Sequence, residues 1–111
     1  MAYSLPPAHP VVRRLRPDEQ IRAHIPTAGT EIVITNLRLA IAEEERLALD
    51  IEIAALRRIQ FDIERDRPAT LVIVPDHPGH EPQVLAIPPE QLEAVADALA
   101  YIGQRLYLEA S

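Results

Sequence analysis

Apolar residues alternate with polar ones along most of this chain. Residues 31–35 (EIVIT) form a β-branched, strand-like run, and a shorter candidate strand precedes it at residues 20–24. Between them, Pro26-Thr-Ala-Gly29 predicts a turn in which Gly29 can take positive φ. After a turn at Thr35-Asn36, the residues Leu37, Leu39 and Ile41 alternate with Arg38, Ala40 and Ala42. Glu43-Glu44-Glu45 reads as a solvated turn. Leu47, Leu49, Ile51 and Ile53 then fall on one face at a period of two, and after Ala54-Ala55 so do Ile59, Phe61 and Ile63. Half-buried antiparallel strands have this pattern. The rival is one helix over residues 42–65, because Ala, Glu, Leu and Arg favour helices. A helical stripe would gather Leu49, Ile53, Leu56 and Ile63 but leave Ile59 and Phe61 on other faces, so the period of two is the better template.

Residues 71–74 (LVIV) predict a buried strand, residues 76–82 (DHPGHEP) a connection, and residues 84–87 (VLAI) the last strand, ended by Pro88-Pro89. From Glu90 to about Leu108 the period becomes helical, with Leu92, Val95, Ala96, Leu99, Ile102, Gly103 and Leu106 on one stripe. Seven strands with no helix between them exclude a parallel βαβ sheet. The expected architecture is mainly β (α+β): a seven-stranded antiparallel sandwich or partly open barrel, closed by one C-terminal helix.

Composition narrows the chemistry. The 111 residues suit one domain, and the absence of Cys excludes disulfides, thiol catalysis and Cys-based metal sites. All 11 bases are Arg against 17 acids, a net charge of −6, so no lysine nucleophile or P-loop lysine exists. High Arg, Ala and Pro without Lys resembles the usage of a GC-rich bacterial genome. The opening MAYSLPPAHP lacks the features of a signal peptide, and no apolar run nears the roughly 20 residues of a membrane helix, so a cytoplasmic location is expected. Residues 1–17 read as a Pro/Arg-rich arm with Arg13, Arg14 and Arg16 and no acid, residues 18–108 as the folded domain and 109–111 as a tail. Its prolines predict that residues 1–10 are extended or disordered. Its arginines are expected to pair with the acidic body; a basic docking arm is the other reading.

Ile34-Thr35-Asn36-Leu37-Arg38-Leu39 resembles the "vTNxRL" hairpin between the second and third strands of bacterial pleckstrin-homology-like domains, relatives of the GRAM type. The strand order, the Ile87-Pro88-Pro89 exit and the closing helix fit as well, over about residues 18–108. Leu37 stands where a basic residue is common, and the helix lacks the Trp of many eukaryotic relatives. The resemblance implies a non-catalytic scaffold that binds proteins, lipids or copies of itself.

His77 and His80, flanked by Asp76 and Glu81, are the only cluster of metal-type ligands. Pro78 and Gly79 explain that segment as a hairpin connection and no third ligand can be assigned, so no metal and no cofactor are expected. The carboxylate pairs Asp50/Glu52 and Asp62/Glu64 read as solvated strand faces rather than glycosidase machinery. The first strand-turn-strand unit is poorly suited to phosphoinositide binding, since Arg22 and Arg38 are its only bases and Glu31 opposes them. Beyond the arm the charge is −9, which disfavours nucleic acid. On the back of the last helix Ala94, Tyr101 and Leu108 recur every seven residues with Ala98 beside them, a candidate interface for a protein partner or a homo-oligomer. The expected function is a non-enzymatic scaffold for protein–protein interaction or self-association; the alternative is a sensor taking a small apolar ligand at the open barrel end.

Overall fold

In the computed structural model, residues 5–110 are described except 45 and 77, with side chains as far as Leu106. Seven strands form two antiparallel sheets. The first holds β1 (Ile21–Pro26), β2 (Glu31–Thr35), β3 (Arg38–Glu43) and β4 (Arg46–Glu52) in that order. The second holds β5 (Leu56–Asp62), β6 (Ala69–Pro75) and β7 (Gln83–Ile87). A single helix, α1 (Leu92–Ala110), follows. The first hairpin and the corner between the sheets have local causes. Gly29 takes φ +82 in the β1–β2 turn, which the Thr27 N–H closes on the Thr30 carbonyl at 2.8 Å. The break at Ala54-Ala55 is a 3-10 turn (Ile53–Ala55) that carries the chain from one sheet to the other. There the Ile53 N–H donates to the Leu37 carbonyl and the Asp76 N–H to the Ala55 carbonyl.

The core lies between the sheets, with Ile25, Ile32, Leu39, Ile41, Ile53, Ile73 and Ile87 almost fully buried. Val95, Ala98 and Ile102 of α1 close it. The buried arc of the helix therefore differs from the expected stripe: Ala96 and Gly103 are exposed and Leu99 is half-buried. Half of the helix's circumference is covered, centred near Ile102 and Ala98, because β1 packs beside it as well as the sandwich end.

Two further differences come from register. An extra residue at Ala48 shifts the β3–β4 pairing, so that Ala42 faces Leu47 while Ile41 faces Leu49. The bulge moves Leu47 to the outer face, away from Leu49 and Ile51. β5 ends at Asp62, which leaves Ile63 64% exposed rather than on the core face with Phe61.

The outer face of the first sheet is also covered. From Leu5 onward the N-terminal arm is folded into turns and a 3-10 turn (Val12–Arg14), not an extended chain. Val11 is 1% exposed and packs on Val33 and Ala40, with Leu5, Leu15, Ile21 and Leu47 around them. This second small core explains why β2 and β3 are buried on both faces.

Candidate functional site

The polar residues of the 34–39 hairpin turn inward, onto the segment from Arg14 to Gln20 that leads out of the arm. Thr35 Oγ1 accepts the N–H groups of Leu37 (3.1 Å) and Arg38 (2.8 Å) and donates to Glu19. Asn36 Oδ1 accepts the Gln20 N–H at 2.7 Å, and its Nδ2 donates to the Asp18 carbonyl. Arg38 donates from Nε to Glu19 Oε2 at 2.7 Å and from Nη1 to both oxygens of Asp50 at 2.9 Å. Its Nη2 reaches Glu19 Oε1 and the Arg14 carbonyl. Burial pushes the Glu19 carboxyl up, but the hydrogen bonds of Arg38, Thr35 and the Arg16 N–H together hold it below the ordinary value of 4.5. The same bonds from Glu19 lead in raising Arg38. This clasp binds the arm to the sheet; it is a structural device. Of the two bases in the first strand-turn-strand unit, Arg38 is thus consumed internally. Arg22 lies 6.0 Å from the Tyr101 ring centroid, a cation–π distance.

A second polar group sits on the same face. Glu31 accepts from His24 Nε2 at 2.7 Å and from His9 Nε2 at 2.9 Å. The Val11 N–H donates to His9 Nδ1, so the His9 proton sits on Nε2, facing Glu31. Burial raises the Glu31 carboxyl, and the bonds from His24 and His9 outweigh it, leaving the carboxyl lowered. Among the described residues no group of three His, Asp or Glu is placed to hold a metal ion. His77 lies outside the described residues, and His80 borders the groove along β4.

Two grooves run along the outer strands of the first sheet. One, about 200 Å³, is bordered by Arg22, Ala23, His24 and Ile25 of β1, by Ile34, and by Ala94, Asp97, Ala98 and Tyr101 of α1. Successive strand residues point to opposite faces, so a groove touched by four in a row follows the strand's edge. β1 is the outer strand of its sheet on the side that borders this groove. The other, about 700 Å³, follows Arg46, Leu47, Ala48, Leu49 and Asp50 along β4, with Pro10, Arg13 and Arg14 of the arm as its far wall. Arg14 and Arg46 are engaged there by Asp50 (3.5 Å) and Glu43 (3.0 Å).

Of the residues expected on the helix back, Ala98 is 5% exposed and belongs to the core. Ala94 and Tyr101 pack at its edge and form one wall of the β1 groove. The side chain of Leu108 lies outside the described residues. Strand β1, the opposite wall, carried no sequence signal beyond its short apolar pattern. Four successive groove-lining residues become visible only once strand order makes β1 an edge.

No protein-family model matches the chain, and no curated protein matches it. The structure is similar to the crystal structure of a pleckstrin homology domain from Shewanella amazonensis SB2B. The two are 15% identical with a TM-score of 0.65, covering 87% of this chain and 92% of that one. Among the described residues no helix is long and apolar enough to cross a membrane.

Proposed function

We propose, from the pleckstrin-homology-like fold that this chain has, that it is a non-enzymatic interaction module taking an extended segment of a partner protein along the edge of β1. The observation that carries this reading is the β1–α1 groove, bordered by four consecutive residues of an edge strand. A peptide laid there adds a strand to the sheet through main-chain hydrogen bonds. Ala94 and Ala98 leave room for its backbone, and Tyr101 offers an apolar ring beside the charges of Arg22 and Asp97. The β1–β2 turn offers no basic side chain to a phosphate, which favours a peptide over a lipid headgroup.

The test is a selection of peptides from a random library on the folded chain, followed by amide shift mapping with the selected peptide. Shifts concentrated at Ala23, His24 and Ile25, and binding weakened at least tenfold by Ala94→Arg, are expected. Peptides that bind equally well to Ala94→Arg, or that move amides on the other sheet, would remove this reading.

A further inference from the structure

The two sheets leave four outer strands, and three of them are interrupted. β1 has a register shift at Arg22 and ends in Pro26, which confines the peptide pairing proposed above to the three residues Ala23, His24 and Ile25. β4 has the bulge at Ala48 and carries Arg46, Asp50 and Glu52. β5 has an extra residue at Arg57 and carries Arg57, Arg58 and Asp62. Bulges, prolines and charges are devices that limit how far a strand edge pairs with another chain. β7 (QVLAI) has none of them within its length: it carries no charge, and its five pairs with β6 run without a shift. Val84 on its outer face is 66% exposed, and Ala86 beside it is exposed too.

We propose that β7 is the pairing edge for a second copy of this chain, antiparallel about a two-fold axis at Leu85. A copy suits this edge because an uncharged strand, bracketed alike by Pro82 and Pro88 on either side of Leu85, meets no like charge when turned on itself. The axis places Val84 against Ala86 of the second copy, twice, which covers part of the exposed Val84. Pro82 and Pro88 bracket the strand and lack N–H donors, so the pairing stops at five residues on each side. Once formed, the six-stranded sheet ends in β5 on both sides, an interrupted and charged edge, and assembly closes at two. So short a seam falls below the roughly 1,200 Å² of a stable interface, so the pair forms only at high concentration.

Sedimentation of the full chain from about 10 µM to about 1 mM spans the range of so small an interface. The mean mass should rise from 12.4 kDa towards twice that value. Val84→Lys should hold it at 12.4 kDa with an unchanged circular dichroism spectrum, and Ala86→Lys should do the same. Tyr101→Asp, in the β1 groove, should leave dimerisation intact, so this proposal and the peptide reading fail separately. Hydrogen exchange on the unsubstituted chain should show amides 83–87 more protected at high concentration, a readout that needs no variant. A chain that stays monomeric throughout, dimers untouched by both lysine variants, or growth beyond two copies would each overturn the proposal.

Discussion

Arg38 reaches five acceptor atoms on three residues, two of them acids from different segments of the chain. Its partner Glu19 has a side chain with no exposure at all. A buried ion pair is weak support by itself, but breaking it leaves an uncompensated charge. The consequence at residue scale is acid sensitivity. Glu19 and Glu31 both have carboxyls lowered from 4.5 in the folded chain. Groups lowered in this way stabilise the fold fully above the unfolded value, and that contribution is lost as pH falls through the folded one. Stability should therefore decline as pH drops below about 4.5, and Glu31→Gln should flatten that decline while lowering stability at neutral pH. Urea midpoints measured between pH 3 and pH 7 read both effects; an unchanged slope in Glu31→Gln would show that the His9–Glu31–His24 group is not coupled to folding. The hairpin motif was legible from Thr35, Asn36 and Arg38. Its acid was not, because Glu19 lies 19 residues upstream and no periodicity links the two.

Elements were legible wherever one face alone was buried. The alternation at residues 47–63 found two strands, and the Ala54-Ala55 break found the corner where the sheets part. It misplaced Leu47, because a period of two holds only while the register does, and the Ala48 bulge flips the face. α1 was found with its length, but its angular position was not. A stripe drawn through the largest residues runs through Leu92, Leu99 and Leu106, while β1 draws the smaller Ala98 inward. This difference is measurable. Ile102 has 0% exposure, so Ile102→Ala should cost about 2–5 kcal/mol. Leu99→Ala should cost less, since Leu99 is only half-buried. Chemical denaturation of the two variants gives the order directly, and equal or reversed costs would put Leu99 back at the centre of the buried arc.

At the scale of the whole molecule, the arm packs on the outer face of the sandwich. Sequence composition separates residues 1–17 from the rest, since proline and arginine without acid look like a leader. What composition cannot register is that the outer face of β2 and β3 is apolar too, at Val33 and Ala40, and needs a cover. Val11 provides it at 1% exposure, and full burial of such a side chain contributes about 1.5–3 kcal/mol. The charged contacts around it differ in weight. Arg16–Glu52 joins two groups each about half exposed or more, and such pairs contribute little. The Arg14 carbonyl, by contrast, is one of the acceptors on buried Arg38. Removing residues 1–17 therefore exposes Val33, Ala40 and Leu47, takes His9 from Glu31, and moves the net charge from −6 to −9. The truncated chain should melt well below the full one and bind an apolar dye at its uncovered sheet. Arg16→Ala in the full chain should change stability by less than about 0.5 kcal/mol. Thermal unfolding of the three proteins separates the alternatives: a truncated chain as stable as the full one would mean that the arm rests on a sheet able to stand without it, while a large loss in Arg16→Ala would mean that charge, not the Val11 contact, holds the arm in place.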